Sequence, residues 1–311
     1  MNRPLGRRDF LQTTAAVLSG VGLGGTFGSA SQPGQSGAGP GGTSGCAQDA
    51  KKAKLKKACK YAMVQVKNGT HLERLELAKK CGFLGVEIDS PGTDKLDDLV
   101  KASKETGVVI HGVVDSVHWT DTLSHPDEKV RAKGLAALQG ALEDAKKVGA
   151  DTVLLVPGVV NKDVTYEQCY ERSQAEVRKV LPLAEKLKVK IAIEVVWNNF
   201  ITKPEQLIQY VDDFKSDFVG AYFDCSNMIK YGVPSADWIR KLGKRMLKFD
   251  FKGYSKTKQW VAIGEGDEDW PEILKALAEI GYDGWATSEV GGGGEEHLKK
   301  VSAQMDKVLG L

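Results

Sequence analysis

Hydrophobic and polar positions in this chain follow two alternating patterns. Short apolar runs, rich in β-branched residues, are typical of buried strands, and they lie at residues 61–66, 85–88, 108–113, 152–156, 190–195, 219–223, 246–251 and 284–288. Between them, segments such as "DKLDDLVKASKETG" repeat apolar residues every three or four positions, which indicates amphipathic helices. Several of these segments end on glycine, as at Gly82, Gly107, Gly149 and Gly281, a common helix stop.

Eight predicted strands alternating with eight predicted helices over roughly 250 residues indicate an α/β fold, a (β/α)₈ TIM barrel. A doubly wound open sheet is the second choice, but no glycine-rich phosphate loop follows a predicted strand. Because barrel enzymes place their chemistry at the carboxyl ends of the strands, those ends are where candidate residues are sought.

The seventh predicted strand, "LKFDFKG", alternates charged and apolar residues. Successive strand residues point to opposite faces, so Lys248, Asp250 and Lys252 share one face and Leu247, Phe249 and Phe251 the other. A solvent-exposed edge strand would explain this pattern, but a closed barrel has no edge. In a barrel the three charged residues are therefore expected to face the interior, with the lysines as counter-charges for Asp250.

The first residues resemble a targeting segment. Residues 1–30 contain "GRRDFLQ", a mild glycine-interrupted apolar run and a small-residue "GSA", which together resemble a twin-arginine signal peptide. An arginine-containing tail without signal function is the alternative. Residues 31–50 form a Gly/Ser/Pro-rich linker and residues 51–311 the TIM-barrel catalytic domain. We therefore expect a periplasmic or extracellular protein without a stable membrane anchor.

Charge and cysteine content narrow the classes of partner. Formal net charge is +2, and residues 1–30 hold three arginines and one aspartate, so the remainder is neutral. No basic surface favours nucleic acid or anionic membrane. The five cysteines show no CxxC or other paired spacing and are read as isolated residues.

One carboxylate lies at the end of each of the last four predicted strands: Glu194, Asp224, Asp250 and Glu289. In a low-dielectric barrel mouth these charges would repel one another unless a cation neutralised them. Oxygen ligands favour hard ions, so the pattern predicts one divalent cation, Mg²⁺ or Mn²⁺. Structural salt bridges are the alternative explanation.

Three stretches, "AIGEGDEDWPEILKALAEIGYDGWATSE", "EVVWNNF" and "FDCSN", carry a resemblance to a known family. They resemble the xylose-isomerase-like barrel superfamily, in its sugar (phosphate) isomerase/epimerase branch. The resemblance extends over residues 58–311 and is most specific in the last third. It implies a metal-dependent isomerase with a carbohydrate substrate and, since barrels of this branch often pair, a homo-oligomer.

The resemblance also implies roles for individual residues. Glu194, Asp224 and Glu289 match metal ligands, and the two glutamates match the groups that exchange a proton with carbon next to a carbonyl, through an enediolate. Asp250 departs from the pattern by standing where the family has histidine. Asn227 likewise replaces a substrate-contacting histidine and Phe200 a glutamate, which leaves the substrate open.

Further polar and aromatic residues near the predicted strand ends are candidate substrate-binding groups: Glu87, His111, His118, Trp119, Trp197, Asn227 and Lys252. Glu87 and His111 are expected to point to the same rim as the four carboxylates, and the tryptophans would stack on the apolar side of a sugar ring. Buried structural roles are the alternative for each. Asp89 and Asp115 are expected to be solvated or capping residues.

Three other functions compete with the epimerase. A lyase acting on an oxidised keto-glycoside would use the same metal site. A non-catalytic sugar-binding barrel is the alternative if the fourth carboxylate reduced the Lewis acidity of the ion. An endonuclease on the same barrel would need a histidine-rich metal cluster and a basic groove, and the five histidines do not supply it. Expected export and the lack of a phosphate loop favour an unphosphorylated substrate.

Overall fold

Eight parallel strands close into a barrel in which each strand pairs with its sequence neighbours and the last pairs with the first. The computed structural model describes residues 53–311, so the predicted signal segment and linker lie outside the described residues. The strands are β1 (Lys56–Lys60), β2 (Gly85–Ser90), β3 (Val109–Asp115), β4 (Thr152–Leu155), β5 (Lys190–Glu194), β6 (Val219–Asp224), β7 (Met246–Phe251) and β8 (Trp285–Ser288). The prediction of a TIM barrel is confirmed.

Eight helices of eight residues or more surround the strands. They are α1 (His71–Lys80), α2 (Leu96–Thr106), α3 (Glu128–Val148), α4 (Tyr166–Leu187), α5 (Pro204–Asp212), α6 (Ser235–Leu242), α7 (Trp270–Glu279) and α8 (Glu295–Leu309). Thr70 and Thr165 begin α1 and α4 with capping boxes, which satisfy backbone N–H groups of the first turn. Gly107 and Gly149 end α2 and α3 in the left-handed conformation, at φ of 77° and 81°.

The position predicted for the first strand is wrong. Residues 61–66 contain a 3₁₀ turn at Tyr61–Met63 and one isolated bridge, and β1 lies earlier, at Lys56–Lys60. The sequence of β1, "KKACK", looks exposed because three of its five residues are lysines. Lys57 and Lys60 are nevertheless buried, at 6% and 7% exposure, because each forms ion pairs with carboxylates on other elements.

Strand β7 occupies the predicted residues and mostly the predicted orientation. Phe249 and Phe251 are fully buried in the cluster between barrel and helices, where Phe251 meets Trp270 of α7 edge-on at 5.0 Å between ring centroids. Leu247 corrects the prediction, because it packs against side chains of the barrel interior. A register shift between β6 and β7 at this point breaks the strict alternation of faces.

The barrel interior holds both apolar and charged side chains. Val114, Leu154, Ala192 and Tyr222 form a small apolar cluster inside the ring of strands. Toward the carboxyl ends of the later strands, the interior also holds buried acids and lysines. None of the helices in residues 53–311 is long and apolar enough to span a membrane.

Candidate active site

Four carboxylates meet at the carboxyl end of the barrel. Glu194 and Asp224 are the last residues of β5 and β6, Asp250 is the next-to-last of β7, and Glu289 follows β8. Each offers an oxygen, and these oxygens all lie within 4.8 Å of one another. All four residues are at most 5% exposed. The structure thus brings together the four residues predicted as metal ligands.

The ligand oxygens suit a hard divalent cation. Carboxylates at this spacing repel one another when they are ionised, in a medium that screens poorly, and carboxylate oxygens are the ligands that such cations favour. Asp224 is already oriented, because its Oδ1 accepts hydrogen bonds from the backbone N–H groups of Ser226 and Asn227, at 2.8 and 2.9 Å. The residues present therefore fit a divalent ion.

Lys252 supplies one counter-charge to this cluster. Its Nζ forms an ion pair with Asp224 Oδ2 and another with Glu289 Oε2, the latter at 2.7 Å. Burial alone would lower the pKa of this ammonium, but Asp224 and Glu289 raise it above its usual value. Lys252 thus stays charged between the two carboxylates. The prediction that both lysines of β7 are counter-charges for Asp250 is wrong for Lys248, whose Nζ pairs with Asp151, at 2.8 Å. The charge of Lys252 does favour the ionised form of Asp250 and so lowers its pKa.

The ion-pair partner of Asp250 is Lys60, the last residue of β1, which the sequence analysis missed. Lys60 Nζ lies 2.9 Å from Asp250 Oδ2 and also pairs with Glu87 Oε2. The other oxygen of Asp250 accepts a hydrogen bond from Phe251 N–H, at 2.6 Å. Burial raises the pKa of Asp250 to about 7, although the charge of Lys60 opposes the shift. The sequence would have indicated Lys60 as a candidate if the first strand had been placed correctly, because this lysine is the last residue of β1.

His111 does not reach the rim as predicted, whereas Glu87 shares Lys60 with the rim carboxylate Asp250. Glu87 is in the middle of β2, where Tyr222 OH donates to its Oε2 at 3.2 Å, and its Oε1 has no hydrogen-bond partner among the described residues. His111 lies deeper, stacked on Trp285, the first residue of β8, at 4.7 Å between ring centroids. Burial and the charge of Lys248 lower its pKa well below the usual value, so His111 is neutral. Its position does not support a substrate contact.

The loop after β3 carries the two other predicted candidates. His118 is buried and its Nδ1 accepts from Val156 N–H, at 3.2 Å, which ties the loop to the end of β4. Trp119 is half-buried and meets the His118 ring edge-on. Asp115, expected to be a solvated or a capping residue, is 1% exposed and caps Val117 N–H.

An aromatic cluster forms one wall beside the carboxylates. Trp197 stacks on Trp260 with ring centroids 5.0 Å apart, and Tyr254 meets both rings edge-on. Trp260 and Tyr254 belong to a two-stranded hairpin after β7 (Tyr254–Ser255 and Gln259–Trp260). Lys252 Nζ lies 5.9 Å from the centre of the Trp260 ring, which connects this wall to the charged cluster. Sequence reasoning missed Trp260, which no strand-end pattern marks.

Asn227 and Phe200, the two other departures from the expected pattern, have structural partners. Asn227 Nδ2 donates to Val195 O at 3.3 Å, and its backbone carbonyl accepts from Trp197 Nε1 at 2.8 Å. Phe200 is fully buried beside Tyr166, at 5.2 Å between ring centroids. Asn227 thus positions the aromatic wall, and Phe200 belongs to the core outside the barrel.

Comparisons with known proteins agree with this architecture. A family model described as xylose isomerase-like TIM barrel matches residues 75–307. L-ribulose-5-phosphate 3-epimerase UlaE of Escherichia coli O1:K1 / APEC is 27% identical over 232 residues, 68% of this chain and 79% of that protein. Among solved structures, D-psicose 3-epimerase with D-tagatose from Clostridium cellulolyticum H10 has a TM-score of 0.68 at 21% identity, covering 82% of this chain and 98% of that chain. The IOLI protein with a binding zinc atom has a TM-score of 0.70 at 21% identity, with the same coverage.

Proposed function

Because this chain belongs to the xylose isomerase-like TIM barrel family, we propose that it is a divalent-metal-dependent sugar epimerase or isomerase. It would move a proton at a carbon next to a carbonyl, through an enediolate. The observation that carries the proposal is the convergence of four buried carboxylates at the carboxyl end of the barrel. A relative that is named as a sugar epimerase supports the same reaction class.

Glu194, Asp224, Asp250 and Glu289 would hold the ion, and their oxygen ligands favour Mg²⁺ or Mn²⁺. When bound, such an ion supplies Lewis-acid stabilisation of the negative charge that develops on the substrate oxygen. Asp224 is suited to a purely ligating role, since backbone N–H groups fix one of its oxygens and Lys252 pairs with the other.

Glu194 and Glu289 would exchange the proton. Strands β6 and β7 separate the two glutamates in the barrel, so their carboxylates approach the shared space from different sides. One carboxylate takes the proton from carbon and the other returns a proton on the opposite face, which inverts the carbon. Lys252 stays bound to Glu289 and limits the directions in which its carboxylate points.

The aromatic wall of Trp197, Tyr254 and Trp260 would contact the apolar side of the sugar ring. We propose an unphosphorylated ketose or related sugar as the substrate. Support comes from the export pattern of residues 1–30. The relative's name specifies a phosphorylated ketose, so a phosphorylated ketose should be assayed beside the free sugars for comparison.

Product analysis of a ketose panel tests the proposal. The protein with Mn²⁺ should convert at least one free ketose to its epimer, and E194Q and E289Q should each lose at least about a hundredfold in rate while keeping the fold. E176Q is the matched control, since Glu176 is buried on α4 beside Arg131, outside the barrel. Undiminished activity in E194Q or E289Q would contradict the assignment, and sugar binding without conversion would favour a binding protein.

We also propose that the protein is exported by the twin-arginine route to the periplasm or beyond. Replacing Arg7 and Arg8 together by lysine keeps the charge and removes the arginine pair. The variant should accumulate in the cytoplasm of the expressing bacterium, as measured by cell fractionation and immunoblotting. An unchanged distribution would refute the export proposal and leave the catalytic proposal intact.

A further inference from the structure

Lys60 lies in an unusual environment for a lysine. It ends β1 with its side chain inside the barrel, 9% exposed, and its Nζ pairs with both Glu87 and Asp250. The ammonium also lies over the ring of Tyr222, at 5.0 Å from the ring centre. A fully desolvated ammonium is costly unless it is paired, so this arrangement persists because the two carboxylates hold Lys60.

The charges of the barrel interior indicate what Lys60 contributes. Five buried carboxylates, those of Glu87, Glu194, Asp224, Asp250 and Glu289, surround two lysines, Lys60 and Lys252. Lys252 forms ion pairs with Asp224 and Glu289, and Lys60 forms the ion pair with Asp250. A divalent cation brings the sum close to neutrality only if both lysines remain charged.

Lys60 also acts on Asp250 through its charge. One oxygen of Asp250 accepts a hydrogen bond from Phe251 N–H, and the other forms an ion pair with Lys60 Nζ, at 2.9 Å. Charged groups behind a ligand tune its affinity for a metal. Lys60 belongs to β1 and Asp250 to β7, and β8 lies between these two strands in the barrel. The ion pair between Lys60 and Asp250 therefore spans the barrel interior in front of β8.

We propose that Lys60 is a positioning residue of the metal centre that acts through Asp250: its ammonium cancels the charge of Asp250, so that this carboxylate acts as a nearly neutral ligand. The inference rests on the proposed function only in assuming that a divalent ion binds at the four carboxylates.

Mn²⁺ titration of the full chain by calorimetry tests this role without any substrate. Removing the ammonium in K60M should tighten Mn²⁺ binding at least about tenfold, because the opposing positive charge is gone. D250H should weaken binding at least about tenfold, and K60M/D250H should return to within about threefold of the wild-type protein. K60R keeps the charge and should retain wild-type affinity.

K57M is the matched control. Lys57 lies on the same strand with similar burial, but its Nζ pairs with Ser302 and Asp306 of α8, outside the barrel. K57M should therefore lower thermal stability and leave Mn²⁺ affinity unchanged. If K60M binds Mn²⁺ no more tightly than K57M does, the proposal is wrong. If K60M does not fold, the comparison of D250H with K60M/D250H decides in the same way.

Thermal unfolding without metal separates this inference from the proposed function. The loss of Tm caused by removing Lys60 should be at least twice as large in the wild-type background as in the D250H background, since only the former leaves Asp250 unpaired. Equal losses would show that Lys60 serves Glu87 alone and would overturn the proposal. If no variant binds Mn²⁺, the metal-dependent function fails, and this stability comparison still decides the role of Lys60.

Discussion

Asp115, the last residue of β3, gives a quantitative test of how burial of a carboxyl group at the barrel mouth changes protein stability. Its side chain is 1% exposed, and its Oδ1 accepts from Val117 N–H at 3.3 Å. Burial raises the pKa of this carboxyl from 3.8 to about 7; the hydrogen bond from Val117 opposes the shift and the charge of Asp121 adds to it. The folded protein therefore favours the protonated form of Asp115.

The sign and size of the effect on stability follow from this shift. Between the unfolded pKa of 3.8 and the folded pKa of about 7, the folded state holds a proton that the unfolded chain releases. Stability from this group is thus complete below pH 3.8 and is lost as pH rises through about 7. At about 1.4 kcal/mol for each pKa unit, the loss is on the order of 4 kcal/mol.

The substitution D115N removes the charge and keeps an oxygen that can accept from Val117 N–H. Urea unfolding of the wild-type protein and D115N at several pH values measures the difference in the free energy of unfolding. As pH rises from 4 to 8, the free energy of unfolding of D115N should increase relative to that of the wild-type protein, by on the order of 4 kcal/mol in total. D121N, at a less buried aspartate, should show a much smaller trend. A difference between D115N and wild type that does not change with pH would refute the reasoning.

Two other substitutions test the charged cluster and the aromatic wall. K252M leaves Asp224 and Glu289 without their shared ammonium, so the metal-free protein should lose about 3–5 kcal/mol in unfolding free energy. Mn²⁺ at about a hundred times its Kd should restore about 2.7 kcal/mol, and an unchanged metal-free stability would contradict the ion pairs. W260A should raise KM for the ketose about tenfold with kcat nearly unchanged, since it removes binding surface alone. W260F, which keeps an aromatic ring, should restore most of the wild-type KM. A decrease in kcat alone would contradict the role of the aromatic wall in sugar binding.

The overall fold was predictable because its signal is repeated eight times along the chain. Apolar runs and helical segments alternate regularly, so one error, such as the shifted first strand, does not disturb the architecture. That error arose because "KKACK" looks exposed when its partners are unknown. The pairing of Lys57 and Lys60 with distant carboxylates is a property of the folded chain that no local pattern carries.

The candidate site was predictable as far as it depends on strand ends. Each of β5 to β8 contributes one acid there, and the fold brings the four together. Which lysine pairs with which acid depends on the closure of the barrel, since β1 and β7 are distant in sequence and separated by β8 alone in the barrel. His111 was misplaced for a related reason, because a register shift between β2 and β3 lies beside it.

Deuterium transfer from solvent tests the central claim most directly. The protein, loaded with Mg²⁺ and incubated with a free ketose in D₂O, should place deuterium at the carbon that is inverted, as detected by mass spectrometry and NMR. E194Q and E289Q should each block inversion, and each should still exchange the proton that faces the remaining glutamate. Inversion without deuterium from solvent, or inversion that persists in both variants, would contradict proton transfer by these two carboxylates.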